Sequence, residues 1–279
     1  MYKIVAKEKL SPTIVSMKVE APAVARKAKP GQFVIIRIDE LGERIPLTLA
    51  DWDEKNGTVS LVIMQVGTSS YKLNSLNVGD NILNLVGPLG LPSEIENFGT
   101  VICVGGGVGI APIFPIARAL KQAENKVISI IGARNKDLLF WEEQMRSVSD
   151  ELIVMTDDGS YSQKGLVTEP LKELLEKDKQ VKRVIAIGPA IMMKFCSQTT
   201  SPFGVPTIVS LNSIMVDGTG MCGCCRVSAD DTTKFACVDG PEFDGHVVDW
   251  DILVKRQQIY CDEEKKSLDA WKSCHCKNI

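Results

Sequence analysis

The sequence has little of what several function classes require. It contains only two histidines, and no apolar run approaches the roughly 20 residues that a membrane-spanning helix needs. Its 32 lysine and arginine residues are balanced by 35 aspartate and glutamate residues, so charge indicates no nucleic-acid or membrane partner. The N-terminal segment is charged and lacks the apolar stretch of a signal peptide. We therefore expect a cytoplasmic protein that works without a membrane.

Cysteine, by contrast, is abundant. The chain has nine cysteines, and most of them lie beyond residue 220. In a reducing compartment, an odd and clustered set of cysteines indicates metal ligation or redox chemistry rather than disulfide bonds. The C-terminal part of the chain is therefore where we expect a metal or redox centre.

The first 90 residues have the pattern of short β-strands. β-Branched runs at 31–38, 58–66 and 81–90 are bounded by Pro-Gly, Asn-Gly and Gly-Asp turn pairs. Helical periodicity is nearly absent over this stretch. The spacing of the runs predicts a small antiparallel barrel or sandwich.

From about residue 99, buried strands alternate with amphipathic helices. The pattern predicts strands at 100–107, 127–134, 151–158 and 181–189 and helices at 111–126, 138–148 and 168–178. Strands that alternate with helices in this way form a parallel, doubly wound sheet.

The alternation stops after about residue 200. Residues 201–246 are rich in Gly, Cys, Thr and Asp, and a charged helix is predicted over 262–276. We therefore predict three domains: a β-barrel over 1–95, an α/β nucleotide-binding domain over 96–205, and a cysteine-rich domain with a C-terminal helix over 206–279.

A glycine-rich turn follows the first strand of the predicted parallel sheet. GGGVGIAP (105–112) lies where a backbone can approach a pyrophosphate and a helix N-terminus supplies N–H groups. The alternative is a tight structural turn. TDDG (156–159) and Gly188-Pro189 end later strands at the same edge, where ligands bind in open α/β sheets. This repetition favours a nucleotide site. Arg134 either meets an adenosine phosphate there or caps a loop.

Two polar motifs lie in the predicted barrel. RIPLT (44–48) places an arginine and a hydroxyl on one strand, and VGTSS (66–70) supplies backbone and hydroxyl donors in a turn. Each motif alone is common, because threonine and serine are frequent in turns. Together, upstream of a nucleotide-binding sheet, they predict a flavin nucleotide held between the first two domains.

The segment DGTGMCGCCR (217–226) and Cys237 contain most of the candidate metal ligands. Cys222 and Cys225 have CxxC spacing, and Cys237 follows a segment that reads as a hairpin. The interspersed glycines allow the tight wrapping that iron–sulfur loops need. Three thiolates are one short of the four that a [2Fe–2S] centre takes. Asp217 stands where a first cysteine would complete the spacing, and we predict it as an oxygen ligand.

Other interpretations of the cysteines stay open. Cys224 could substitute for its neighbour as a ligand, and a structural zinc site is the alternative to an iron–sulfur cluster. Cys103 and Cys196 are expected to be ordinary buried residues. The tail cysteines and histidine, Cys261, Cys274, His275 and Cys276, either bind metal or lie reduced in solvent.

The order of these motifs resembles a known family. The barrel with RxPLT, then GGGVGIAP, GARNKDLLF, TDDGSY, GPAIMM and the cysteine loop with CVDGPEF are similar to a ferredoxin–NADP reductase-type module that carries a [2Fe–2S] tail. Within that family, the electron-transfer subunit of dihydroorotate dehydrogenase and the small subunit of NADH-dependent reduced ferredoxin:NADP+ oxidoreductase are most similar. The resemblance covers essentially residues 1–260.

The resemblance implies which residues bind which cofactor. It implies FAD binding by Arg44, Pro46, Leu47, Thr48, Gly67, Thr68 and Ser69. It implies an NAD(H) site lined by Gly106, Gly107, Val108, Gly109, Arg134, Asp157, Gly188, Pro189 and Met192. The dihydroorotate subunits have cysteine at the first cluster position, whereas Asp217 resembles the bifurcating branch. That implies a cluster held by Asp217, Cys222, Cys225 and Cys237.

The function implied is an electron relay. In the bifurcating branch this subunit exchanges hydride with NAD(H) at its flavin, and single electrons pass through the cluster to a large iron–sulfur flavoprotein partner and ferredoxin. The cofactors carry the chemistry, so no acid–base side chain is expected to be essential. Two alternatives remain: the electron-transfer subunit of dihydroorotate dehydrogenase, and a non-enzymatic, zinc-stabilised nucleotide-binding regulator.

Overall fold

The structure is a computed structural model that describes residues 1–275, with only the backbone of His275. The N-terminal part is an antiparallel seven-stranded barrel sheet in the order β6-β1-β2-β5-β4-β3-β7. Its strands are β1 Tyr2–Lys9, β2 Ile14–Glu20, β3 Phe33–Arg37, β4 Arg44–Asp53, β5 Thr58–Met64, β6 Asn81–Ile82 and β7 Asn84–Leu89, with short helices α1 Pro22–Ala25 and α2 Thr68–Ser75. The predicted barrel is confirmed, and its β-branched residues fill one apolar core.

The second part is a twisted parallel sheet covered by helices. Its parallel strands are β8 Thr100–Gly106, β9 Lys126–Ala133, β10 Glu151–Thr156, β11 Gln163–Lys164, β12 Val181–Ile187 and β13 Thr207–Ser210. The helices are α3 Ile110–Gln122, α4 Glu142–Ser147, α5 Thr168–Lys177 and α6 Ala190–Thr200. The predicted doubly wound sheet is confirmed, and its carboxyl edge is the edge where the glycine-rich turn lies.

The cysteine-rich part is small. It contains the hairpin strands β14 Arg226–Ala229 and β15 Thr232–Phe235, the strand β16 Glu242–Asp244, and the helices α7 Trp250–Gln257 and α8 Cys261–His275. β16 pairs antiparallel with β13, so the large sheet has the order β11-β10-β9-β8-β12-β13-β16. Both β13 and β16 lie beyond residue 205, so the sheet extends into the third predicted domain.

Two local predictions were wrong. The helix expected over 138–148 is only α4, because Trp141 adopts a left-handed φ of 57° and Phe140 is buried before the helix begins. The segment expected as a Gly-Thr-Ser turn is instead the start of α2, with Gly67 as its N-cap. The Ser70 hydroxyl accepts from the N–H groups of Val66 and Gly67, which stabilises this helix start.

Packing joins the three parts. Phe33 and Ile35 of β3 lie in the same apolar cluster as Val104 of β8 and the thiols of Cys225 and Cys237. On the other face of the sheet, an ion pair of 2.8 Å joins Arg118 of α3 to Asp51 of β4. None of the helices within residues 1–275 is both long and apolar enough to cross a membrane.

Candidate functional site

The glycine-rich turn lies against the end of β12. A Cβ atom on Gly109 would stand 2.2 Å from the Ile187 carbonyl oxygen, and one on Gly106 would stand 2.2 Å from the Met192 sulfur. A Cβ on Gly188 would stand 2.7 Å from the terminal carbon of the same Met192 side chain. The structure therefore brings four of the predicted nucleotide residues, from the ends of two neighbouring strands, into direct contact.

Gly107 differs from the other glycines of this turn. Its φ is 54°, and a Cβ built on it would meet no atom within 4 Å. It begins the 3-10 turn Gly107–Gly109, which leads directly into α3. The backbone here is open to solvent on the carboxyl edge of the sheet, where a pyrophosphate can approach the N–H groups at a helix start. Val108, next in the turn, packs partly against the sheet core.

Arg134 and Asp157 lie together at the same edge, one strand further out. The N–H of Asp157 donates to the Ala133 carbonyl over 3.1 Å, and the N–H of Asp158 donates to the Arg134 carbonyl over 3.2 Å. Both predicted side chains are exposed, as is Pro189 at the N-cap of α6. The nine predicted nucleotide residues thus follow the ends of β8, β9, β10 and β12.

The two polar motifs of the barrel also meet. The Ser69 hydroxyl, in the first turn of α2, donates to Glu43 Oε2 over 3.1 Å, and Glu43 immediately precedes Arg44 and the RIPLT strand β4. Arg44 is exposed, and Pro46, Leu47 and Thr48 are half-buried. The structure therefore brings the starts of the two predicted FAD motifs together at Glu43, a carboxylate that sequence patterns did not indicate.

The C-terminal helix covers one side of this surface. The Thr68 hydroxyl lies 2.8 Å from the hydroxyl of Ser267 on α8, and the rings of Tyr71 and Trp271 lie 5.9 Å apart. Cys261 and Cys274 on this helix are exposed. Cys276 lies outside the described residues, as does the His275 side chain.

The hairpin β14–β15 places two predicted cluster ligands side by side. Arg226 pairs with Phe235, so Cys225 and Cys237 flank the base of the hairpin. Their sulfur atoms are 3.1 Å apart, and both residues are only 2% exposed. Burial raises the pKa of the Cys237 thiol to about 12. A metal ion reverses this preference, because a coordinating thiol is deprotonated outright.

Hydrogen bonds stabilise the ionised form of Asp217. Its Oδ2 accepts from the hydroxyl of Thr219, from the Thr219 N–H over 2.9 Å and from the Met221 N–H over 3.4 Å. The Thr219 hydroxyl, these N–H groups and the guanidinium of Arg44 together lower the pKa of Asp217. The neighbouring Cys222 thiol also has a lowered pKa, caused first by the Cys224 N–H and then by the Asp217 N–H.

These donors fit a cluster of two irons. The predicted ligands lie as two pairs, Cys225 with Cys237 and Cys222 beside Asp217. A [2Fe–2S] centre takes two protein ligands on each iron.

The cysteine loop rests directly on the barrel. Gly218 has a φ of 83°, and an added Cβ would lie 2.7 Å from Ile35 Cγ1 and 2.8 Å from Leu89 Cδ1. Ile35 pairs with Pro46 of β4. The loop is therefore one strand from the predicted flavin motif.

Family models match two parts of the chain. Residues 103–198 match the oxidoreductase NAD-binding domain, and residues 212–249 match the iron–sulfur cluster binding domain of dihydroorotate dehydrogenase B. A Thermotoga maritima protein described as a dihydroorotate dehydrogenase B (NAD(+)) electron transfer subunit homolog is 50% identical, with 97% of this chain and 95% of the relative covered. The Desulforamulus reducens electron transfer subunit is 32% identical over 89% of this chain and 97% of its own. The chain belongs to this family of electron transfer subunits.

The chain is also similar along nearly its whole length to a solved structure. The structure of NADH-dependent reduced ferredoxin-NADP oxidoreductase, solved for insights into flavin-based electron bifurcation, is 49% identical with a TM-score of 0.92. The match covers 97% of this chain and 98% of that one. The resemblance inferred from the motifs is confirmed, and so is the expectation of an oxidoreductase subunit with iron–sulfur and NAD-binding domains.

Sequence patterns also missed the position of Glu242 in this electron transfer subunit. Glu242 lies in the CVDGPEF segment on β16, and the hydroxyl of Ser93, on the connection between barrel and sheet, donates to its Oε1 over 2.5 Å. A glutamate on a short edge strand gives no sequence signal of burial.

Proposed function

We propose that this electron transfer subunit carries FAD and a [2Fe–2S] cluster and works as the small subunit of an electron-bifurcating, NADH-dependent ferredoxin:NADP+ oxidoreductase in the cytoplasm. It pairs with a large iron–sulfur flavoprotein subunit, through which electrons reach ferredoxin. The observation that carries the proposal is the near full-length match, at 49% identity, to the oxidoreductase of that name. The residues assigned above to NAD(H), FAD and the cluster are part of the proposal.

The chain contributes binding and orientation. The open backbone at Gly107 and the start of α3 bind the nucleotide pyrophosphate at the carboxyl edge of the sheet. The Arg44 strand and the α2 start hold the flavin diphosphate between barrel and sheet. Bound FAD supplies hydride acceptance, and a bound cluster supplies one-electron transfer. Asp217 and the three cysteines would hold that cluster in a loop whose Gly218 backbone packs on Ile35 and Leu89, next to the flavin motif.

Anaerobic assays of the subunit with a large partner test this function. We expect NADPH oxidation to reduce NAD+ and ferredoxin together, and neither alone, when the partner is an iron–sulfur flavoprotein. The second candidate, an electron-transfer subunit of dihydroorotate dehydrogenase, is favoured by the names of the relatives. It predicts instead that a barrel-fold dihydroorotate enzyme is the partner and that dihydroorotate reduces NAD+. That result would contradict the bifurcating assignment and leave the electron relay intact.

Exchanging Asp217 for cysteine tests the cluster assignment. We expect Asp217→Cys to retain a [2Fe–2S] spectrum with a changed reduction potential, because a thiolate replaces a carboxylate oxygen on one iron. Spectroelectrochemical titration of variant and wild type measures the change. Thr219→Val is the control, since it removes a hydroxyl that orients Asp217 but leaves all four ligands. An unchanged spectrum and potential in Asp217→Cys would show that Asp217 is not a ligand.

A further inference from the structure

We propose that Glu242 is the proton-exchange residue of this subunit, which takes up the proton left behind when a hydride is divided into single electrons. The proposal rests on the proposed function. The division itself requires such a group: NADH gives NAD+, one proton and two electrons, and an iron–sulfur cluster passes on electrons only. One proton per hydride must therefore reach solvent by another route.

Glu242 lies where β16, the barrel and the connection between barrel and sheet meet. Its Oε1 accepts from the hydroxyl of Ser93, which lies on the connection between barrel and sheet. The barrel also contacts this carboxylate, because a Cβ on Gly31 would stand 2.8 Å from the same oxygen. The backbone around Glu242 is fixed by the N–H of Leu91, which donates to Gly240 over 2.6 Å, and by the N–H of Leu211, which donates to Pro241 over 2.9 Å.

The sheet register places Glu242 between the two predicted cofactor surfaces. Ser210, the last residue of β13, pairs with Glu242, and the preceding Val209 pairs with Ala186 of β12. Glu242 is thus level with the end of β12, which immediately precedes Gly188. The backbones of Glu242 and β12 are two strands apart, or about 10 Å at the usual strand spacing. On the barrel side, Glu242 is close to Gly31. The carbonyl of the next residue, Gln32, accepts from the N–H of Leu49, which follows Thr48 of the predicted flavin motif.

The electrostatic surroundings suit a group that binds and releases a proton at physiological pH. Burial raises the pKa of Glu242 to about 7, against the opposing effects of the Ser93 hydrogen bond and the Arg183 charge. Arg183 acts weakly because it is already paired with Glu94 at 2.6 Å and stacked 3.9 Å from the Phe98 ring. The titratable group across the sheet, Cys103, has its pKa raised to about 12, first by burial and then by Glu242, and so stays neutral. Glu242 itself is half-buried and keeps a path to water.

Rapid mixing of the full chain with NADH tests this role. Protein purified without oxygen, with its cofactors bound, is followed by flavin bleaching for hydride transfer and by freeze-quenched EPR for cluster reduction. We expect Glu242→Gln to leave bleaching unchanged and to slow cluster reduction by about 100-fold, the lower end of what positioned acid–base groups contribute. In wild type the cluster-reduction rate should rise with pH through about 7, because the carboxylate accepts the proton, and this rise should vanish in Glu242→Gln.

Two further variants test the pH dependence of cluster reduction. Ser93→Ala removes a hydrogen bond that favours the carboxylate, so the midpoint of the rate profile should move to higher pH. Asp244→Asn, an exposed carboxyl two residues along the same strand, should behave like wild type.

Melting temperatures give a readout that is independent of activity. The folded-state pKa of Glu242 is raised from 4.5 to about 7, so its contribution to stability is complete below 4.5 and is lost as pH rises to about 7. Glu242→Gln should therefore match wild type in acid, where both side chains are neutral, and melt at a higher temperature in alkaline buffer.

The possible failures are distinguishable. Normal bleaching together with wild-type cluster reduction and an unchanged pH profile in Glu242→Gln would overturn the role of Glu242 alone. A wild-type protein that binds flavin but is not bleached by NADH would overturn the proposed function, and the proton-exchange role with it.

Discussion

Serine at position 225 or 237 is expected to remove the iron–sulfur cluster. The two sulfurs are 3.1 Å apart in the protein core, so each variant would lose one of the two ligands that we propose for one iron. Changes to outer-shell partners of a metal already cost roughly 10–100-fold in affinity, and loss of a ligand should cost more. Iron and sulfide analysis and the visible spectrum of anaerobically purified variants measure the loss. NADH should still bleach the flavin, whereas one-electron transfer to the partner should stop.

Cys103→Ser and Cys224→Ser are the matched controls. Cys103 is fully buried in the sheet, so its variant measures the general cost of placing a hydroxyl where a thiol was. Cys224 adjoins Cys225 in the loop and is not one of the four proposed ligands. Both variants should retain iron and sulfide. A cluster that survives in Cys225→Ser and is lost in Cys224→Ser would reverse the assignment of the two neighbours.

Alanine at Gly109 should destabilise the protein more than alanine at Gly107. A methyl at Gly109 would stand 2.2 Å from a backbone carbonyl oxygen of β12, which cannot move without displacing the strand. We expect Gly109→Ala to lower the free energy of unfolding by about 3 kcal/mol, at the upper end of ordinary overpacking costs. Gly107→Ala meets no atom and carries only the cost of a left-handed φ, about 1 kcal/mol.

The open position of Gly107 makes it the better test of the nucleotide site. Its methyl would project into the space where the pyrophosphate is proposed to bind, so Gly107→Ala should weaken NADH binding by about tenfold or more, or 1.4 kcal/mol. Calorimetric titration with NADH and thermal melting separate the two effects. Gly99→Ala, at the opposite edge of the sheet and also at positive φ, is the control for backbone strain. Equal NADH affinity in Gly107→Ala and wild type would place the nucleotide elsewhere.

Local patterns predicted the barrel and the parallel sheet, and they indicated the proposed cluster ligands, because these signals are short-range. The period of β-branched residues and the strand–helix alternation specify each element from its neighbours, and the CxxC spacing of Cys222 and Cys225 requires only one turn of chain. Element ends were less predictable. Residues 138–140 continue the helical pattern of α4, yet burial of Phe140 and the left-handed Trp141 exclude them from the helix.

Local sequence patterns could not predict contacts between residues that are far apart in the chain. Glu242 and Ser93 are 149 residues apart, and the burial of that glutamate depends on how the barrel, the connection and β16 pack together. The contact of Ser267 with Thr68 joins residues 199 apart in the same way. The continuation of the sheet through β13 and β16 was also missed, since four- and three-residue strands are too short to show periodicity.

The most direct test of the electron relay is the cofactor content of the full chain made and purified without oxygen. Flavin, iron and acid-labile sulfide are measured per chain on one sample. The account predicts about one flavin and about two irons with two sulfides, as one [2Fe–2S] centre requires. A colourless chain with zinc in place of iron, or with neither metal nor sulfide, would contradict it.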